Sequence, residues 1–357
     1  MSSEFGEKIK VSVFGESHGK AIGCVIDGFP AGIKLDIDKI YADMQRRAPG
    51  RDKTATPRLE KDIPQIISGV LGGVTTGAPI AAVIENTNTK SSDYSNLTAV
   101  PRPSHSDYPA YVKYGGNSDI RGGGHFSGRL TAPLVFAGAA AKQALEEKGI
   151  FIGAHIARIG AESDSLFDKN NITEEQLYML THKSFSVICD EAEAKMRDII
   201  EEARLSQDSV GGIIECAVIG VQPGAGGNMF STVESRLSSI LFGIPAVKGV
   251  EFGEGFAFAD MKGSQANDPY CIKDGRVALE SNHNGGVLGG ITTGAPIVFS
   301  VAVKPTPSIS QPQKSVNLNT MTEETLIVKG RHDPCIVVRA VPVVEAAAAL
   351  GILDMII

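Results

Sequence analysis

Apolar residues recur at helical spacing around Asp38 to Arg47, where Ile37, Ile40, Tyr41 and Met44 share one face. Helical patterns also cover Thr173 to Leu180, Asp190 to Arg204 and Ser231 to Leu241. Short apolar runs predict strands near Ile9 to Val13, Gly23 to Asp27, Gly212 to Ile219 and Ala246 to Glu251. Two alanine-rich stretches, Ala137 to Ala141 behind Pro133 and Ala346 to Ala349 behind Pro342, predict helices whose small side chains permit close packing.

The pattern repeats itself. GVLGGVTTGAPI, from Gly69 to Ile80, returns as GVLGGITTGAPI from Gly286 to Ile297, an offset of 217 residues with only Val74 and Ile291 differing. Each copy passes through a glycine turn into an apolar strand. CVIDGFPAG near Pro30 resembles AVIGVQPGAG near Pro223, and in both halves a histidine loop precedes a proline and an alanine-rich helix. These matches predict an α+β chain, residues 1–357 as one internally duplicated domain with a pseudo-twofold axis, divided at about 205 and 206. Two independent domains joined near residues 205 to 210 are the alternative, disfavoured because the histidine loops are spread over both halves.

Length permits either one large domain or two ordinary ones, since 357 residues are 42% hydrophobic. A formal charge of −7 argues against nucleic acid as a partner, although Arg46, Arg47, Arg51, Lys53 and Arg58 concentrate positive charge in one stretch suited to a small anion. Five cysteines without a C-x-x-C pair fit reduced thiols, and neither a signal-peptide stretch nor a membrane-length apolar run occurs. The expectation is a soluble, cytoplasmic protein.

Five of the seven histidines (His18, His105, His125, His283 and His332) sit among glycine, serine, arginine and aspartate, as loop residues carrying chemistry do, whereas His155 and His182 look ordinary. GESHGK lacks phosphate-loop spacing, and no dinucleotide fingerprint follows a strand. RGGGHFSGRLTAPL exposes backbone N–H groups before a helix and adds Arg121 and Arg129, while KPTPSIS joins Lys304 to hydroxyls and prolines; both suit an anion. In RPSHSD, His105 stands beside Asp107 with Arg102 near, either to hold an imidazolium or to build a salt-bridged turn. In GRHDPC, Asp333 is a general base or a helix N-cap. Arginines beside the histidines oppose a metal site.

FGESHG, GCVIDGFPAG, RRAPGR, SGVLGGVTTGAPI, NTNTKSSDY, RPSHSDY, RGGGHFSGR, IPAVKGVEFGEGF, SNHNGGVLGGITTG, KPTPSI and GRHDPCIVVRAVPVVEA occur in that order from about Phe5 to Asp354. In this the sequence resembles the chorismate synthase family. The resemblance implies helices sandwiched between antiparallel sheets, a homotetramer, and trans-1,4-elimination of phosphate from 5-enolpyruvylshikimate 3-phosphate with reduced FMN, NADPH being a candidate reductant. It further implies His18 at the departing phosphate, His105 as proton donor to reduced flavin and Asp333 in proton transfer. Substrate anions fall to Arg47, Arg51 and Arg129. Cofactor contacts fall to His125, Phe126 and Ser127, to Ala246 and Gly289, to Lys304, Pro305, Thr306, Pro307 and Ser308, and to Arg331. The chain departs from the family's GGGRSSARET in having GGGHFSGRLT, and has Ala48 where an arginine is frequent. A catalytically silent ligand-binding homologue and a metal-dependent phosphohydrolase are the competing classes.

Overall fold

The computed structural model describes residues 3–50, 60–87, 99–328 and 332–357. Arg51, Lys53, Arg58 and Arg331, with most of the NTNTKSSDY segment, lie outside them. Two five-stranded antiparallel sheets carry the fold. In the first, the order is Glu4–Phe5, Lys10–Gly15, Ala21–Asp27, Ile80–Glu85 and Gln65–Ser68. In the second it is Val247–Phe252, Ile297–Val303, Gly212–Ile219, Phe151–Ile159 and Glu162–Ser163. The helices are α1 (Ile37–Arg47), α2 (Asp107–Lys113), α3 (Thr131–Glu146), α4 (Glu174–His182), α5 (Asp190–Leu205), α6 (Val233–Phe242), α7 (Gly263–Ala266) and α8 (Val337–Ile356). Sequence periodicity placed α1, α4, α5 and α6 to within about two residues, the usual latitude at frayed ends. On α1, Ile40 and Met44 are buried as expected, but Tyr41 is exposed, as a residue with a polar hydroxyl can be at the margin of an apolar stripe.

The duplication is visible bond by bond. Each repeat forms a two-stranded hairpin, with Val70 opposite Thr75 and Leu71 opposite Val74, then Val287 opposite Thr292 and Leu288 opposite Ile291. Thr75 Oγ1 donates to the Pro30 carbonyl at 2.7 Å and accepts from Ile33 N–H at 2.9 Å. Thr292 Oγ1 does the same with the Gln222 carbonyl at 2.6 Å and Ala225 N–H at 2.9 Å. The first residues beyond each turn are tied alike, Leu35 N–H to the Gly73 carbonyl and Val233 N–H to the Gly290 carbonyl. A buried threonine hydroxyl thus satisfies the backbone where strand passes into helix, which explains why TTGAP recurs. The strand Phe151–Ile159 flanks Gly212–Ile219 as Lys10–Gly15 flanks Ala21–Asp27. From this correspondence we infer that the second half begins near residue 150, with residues 160–211 inserted after its first strand, and not at 205–206.

Helices α3 and α8 form the central layer, α3 against the first sheet and α8 against the second. Both are buried along almost their whole length. A Cβ on Gly138 would lie 2.2 Å from the Ala346 Cβ and 2.3 Å from its Cα, so the helices approach as closely as backbones allow. Charge inside this layer is balanced. Glu345 on α8 accepts from Arg46 of α1 at 2.6 and 2.8 Å and from Lys142 of α3, while Asp43 pairs with both cations at 3.0 and 2.9 Å. Burial would raise the Glu345 carboxyl, but the two cations hold it at about 2. Arg46 is therefore committed to this buried charge group.

His155 is not the ordinary residue its context suggested. Fully buried, it places Nδ1 3.1 Å from Asp164 and Nε2 2.9 Å from Glu215, and packs edge-on to Phe167. Asp164 also accepts from the Ile188 and Cys189 N–H groups, so the imidazole fastens the inserted segment to the second sheet. Burial alone would lower the His155 pKa, but its hydrogen bonds to Asp164 and Glu215 outweigh it and raise it above 6.5. A raised folded value means that this contribution is complete below the unfolded pKa and is lost as pH rises through the folded one. The Asp164 carboxyl is shifted down, so its contribution is lost instead at acid pH, as pH falls through its folded value. His155→Gln should destabilise by about 3–5 kcal/mol near neutrality. Urea unfolding from pH 6 to 10 should show wild type losing part of that advantage as pH rises; a pH-independent difference would refute the charged-imidazole reading.

Candidate active site

Three consecutive glycines between α2 and α3 create the point on which the histidine loops converge. Gly122, Gly123 and Gly124 have φ of 59°, 86° and 55°, left-handed values that side chains rarely adopt. A Cβ on Gly122 would stand 2.6 Å from His18 Cδ2, and one on Gly123 would stand 3.3 Å from His105 Nε2. Two imidazoles from distant segments therefore lie against successive glycines. The His18 loop is fixed by Ser17 N–H to the Gly124 carbonyl at 3.1 Å. It is also held by Asn86 Nδ2, which donates to the Glu16 and Gly19 carbonyls at 3.0 Å each. His125 joins from the other side, with Nδ1 donating to the Gly15 carbonyl and Nε2 accepting from Ser3 Oγ, both at 2.7 Å. Phe126 is 40% exposed and Ser127 Oγ accepts from Arg129 N–H at 3.3 Å.

A cluster of guanidiniums gathers around the segment that follows the turn. Arg47, at the end of α1, donates to Thr131 Oγ1 at 3.0 Å, to the Gly128 carbonyl at 2.8 Å and to Asp62 at 2.8 Å. Arg129 meets Glu60 at 2.7 Å, Asp62 on its other oxygen, and Asn86 Oδ1 at 3.0 Å. Arg339 donates to the Arg47 carbonyl at 3.0 Å and pairs with Asp333. Asp333 thus lies beside the arginines, and the N-cap position of α8 falls to Ile336, which offers no side-chain cap. Burial, with the positive charges of Arg339 and Arg129 adding to it, pushes the Arg47 pKa down to about 10. A guanidinium so placed attracts any further anion strongly.

A second group forms around His105. Its Nδ1 lies 2.6 Å from Asp107, and Arg102 clamps the same carboxylate through Nε and Nη2, both at 2.8 Å. Burial would raise the Asp107 carboxyl, but hydrogen bonds from Arg102 and His105 hold it well below the usual carboxylate range. Arg102 Nη1 reaches Ser308 at 3.1 Å and Lys304 Nζ reaches the Ser104 carbonyl at 2.6 Å, joining the 304–308 loop to the His105 loop. Lys304 N–H donates to the carbonyl of Ala246, whose φ is 76°. Burial and the nearby Lys248 both lower the Lys304 pKa.

Not every expected residue joins these groups. Gly289 turns the second-half hairpin, whose hydrogen bonds run to Ala225 and Val233. His283 is bound to Asp268, at 2.9 Å, which also accepts from Ser281 and Asn284 and so shapes its own loop. Arg51 and Arg331 lie outside the described residues. Glu60, Asp62, Asn86 and Arg339 escaped sequence reasoning: the first two stand in an ordinary charged run, and nothing local marks Arg339 as aimed back at Asp333.

Comparison with known proteins places these features in a family. The chorismate synthase family model matches residues 9–357. A protein from Thermococcus kodakarensis called chorismate synthase is 47% identical over 349 residues, covering 98% of this chain and 96% of that protein. One of the same name from Pyrococcus abyssi is 48% identical over 351 residues with the same coverage. A crystal structure of chorismate synthase superposes with a TM-score of 0.76 at 29% identity, covering 98% of this chain and 92% of the other.

The shared use of Asp62 by two buried guanidiniums gives a direct test. Asp62→Asn keeps the size and tolerates the φ of 47° found there, so it removes charge alone. Urea unfolding should show a loss of about 3 kcal/mol, and added inorganic phosphate should recover part of it by supplying the negative charge that Arg47 and Arg129 have lost. No loss, or no phosphate response, would count against an anion site at Arg47 and Arg129.

Proposed function

The chain belongs to the chorismate synthase family, and from that premise we propose how its own residues carry the reaction. It is a phosphate lyase. In the elimination, a ring C–H bond and the C–O bond to phosphate both break, a second ring double bond forms, and a proton and inorganic phosphate leave without net redox change. The observation that carries the proposal is the meeting of His18 and His105 at adjacent glycines, a few residues before Arg129, which shares Asp62 with Arg47.

The substrate, 5-enolpyruvylshikimate 3-phosphate, brings two carboxylates and a phosphate. Arg47 and Arg129 hold its anionic groups in exchange for part of their present contact with Asp62, and Arg339 adds to the positive field. His18, only 8% exposed, donates a proton or hydrogen bond to the departing phosphate. Asp333, paired with Arg339, assists transfer of the ring proton.

The 304–308 loop suits reduced FMN on chemical grounds. Lys304 and Lys248 repel each other there, and the Thr306 hydroxyl is buried without a protein partner among the described residues. An anionic group with acceptor oxygens relieves both. Lys304, Pro305, Thr306, Pro307 and Ser308, with Ala246, His125, Phe126 and Ser127, are the residues we assign to it; Gly289 and Arg331 complete the set by family likeness. When bound, reduced FMN supplies electron density for breaking the C–O bond. His105 holds the exchangeable proton on the side of the glycine turn. The same reading includes a homotetramer, tested by light scattering, and a cytoplasmic enzyme; no helix among the described residues is long and apolar enough to cross a membrane.

An anaerobic assay with 5-enolpyruvylshikimate 3-phosphate and chemically reduced FMN should give chorismate and phosphate in equal amounts, and nothing with oxidised FMN. Replacing the chemical reductant by NADPH tests whether the protein reduces its own flavin. His18→Ala and His105→Ala should each lower turnover about 10²- to 10⁴-fold while FMN still binds. Near-normal rates in both variants would remove the two imidazoles from the mechanism.

A further inference from the structure

We propose that Asn86 is a positioning residue that ties the His18 loop to the Arg129 guanidinium, so that proton donor and anion clamp are held at a fixed separation. The proposal deepens the roles given above to His18 and Arg129 and rests on them for its catalytic consequence, though not for its geometry.

The place of Asn86 follows from strand pairing. Ile80–Glu85 runs antiparallel to Ala21–Asp27, with Glu85 opposite Ala21. The next residue therefore arrives beside the loop 16–20 that carries His18, and its N–H extends the ladder by one bond, to the Lys20 carbonyl at 3.1 Å. Its side chain then spans two groups. Nδ2 donates to the carbonyls of Glu16 and Gly19 at 3.0 Å each, and Oδ1 accepts from Arg129 Nε at 3.0 Å. The orientation of the amide is fixed by chemistry, because a carbonyl can only accept and a guanidinium can only donate. Three carbonyls of one short loop, those of Glu16, Gly19 and Lys20, thus answer to a single residue.

Arg129 is the fixed member of the pair. It directly precedes α3, and its side chain meets Glu60 at 2.7 Å and Asp62, with all three side chains nearly buried. The loop takes its position from that anchor through the amide. On the loop itself, His18 lies against Gly122, where a Cβ would stand 2.6 Å from Cδ2 and 2.8 Å from Nε2. A contact so close leaves the imidazole little tolerance for a shift of the loop. An aspartate at position 86 would turn oxygen toward two carbonyls, and an aliphatic residue would leave both carbonyls and Arg129 Nε without this partner.

Asn86→Ala removes the tie and leaves Arg129 with its two carboxylates. At saturating 5-enolpyruvylshikimate 3-phosphate and reduced FMN, kcat should fall about 10²-fold, the loss that a misplacement of about 1 Å produces, while KM changes little. Added to His18→Ala, the same substitution should lower the rate no further, since a residue acting through His18 has no effect once the imidazole is gone. Hydrogen exchange of the full-length protein without substrate supplies a measure independent of turnover. Asn86→Asp keeps an acceptor for Arg129 Nε but loses both donors, so amides 16–20 should exchange faster than in wild type while those of 128–131 do not. Unchanged exchange in that loop, a normal kcat in Asn86→Ala, a rise in KM alone, or a further loss in the double variant would each overturn the proposal. A normal rate in His18→Ala with faster exchange in Asn86→Asp would keep the tie and instead overturn the role of His18 in the reaction.

Discussion

The backbone approach of α3 to α8 at Gly138 and Ala346 is the constraint from which the rest of the molecule follows. It sets the separation of the two sheets and leaves the alanine-rich faces without room for larger side chains. It also fixes where the chain enters each helix. The glycine turn and Arg129 precede α3, and Asp333 precedes α8 while Arg339 lies in its first turns. Packing in the centre therefore determines the geometry of the site at the helix ends. The buried Asp43, Arg46, Glu345 and Lys142 group gives the layer register as well as proximity, since unpaired charges there would each be costly.

Among the described residues the charges of the candidate site are paired. Glu60, Asp62 and Asp333 compensate Arg47, Arg129 and Arg339. On the proposed function, an anionic substrate competes with internal carboxylates and does not meet bare cations. Competition of this kind favours a ligand with several charges over a single one, because only the former replaces what it displaces. A chain of net charge −7 can in this way keep a cluster of arginines without exposing it to every anion in solution.

Much of this was legible in the sequence, and the reasons are local. The duplicated TTGAP segment announced the two-half frame because the same threonine hydroxyl satisfies the same backbone groups in each copy. His18 and His105 stood out because glycine and serine neighbours mark loops. The sequence did not reveal what depends on distant partners. His155 looked ordinary because Asp164 and Glu215, which hold it, are brought together only by the second sheet and its insert. Arg46 and Arg47 read alike as neighbours on a basic run, yet one step along α1 turns the first into the core and the second toward Thr131. His283 shared the loop signature of the others and proved to organise its own turn around Asp268.

The place where the two halves part company has a further meaning. Between its first two matched strands the first half runs through the five-residue His18 loop, residues 16–20, whereas the second half runs through residues 160–211, folded into α4 and α5. A duplicated frame starts with two equivalent corners. Here the two corners have diverged, one a short histidine-bearing turn and the other a helical insert, so the twofold architecture does not extend to the residues that the two corners present.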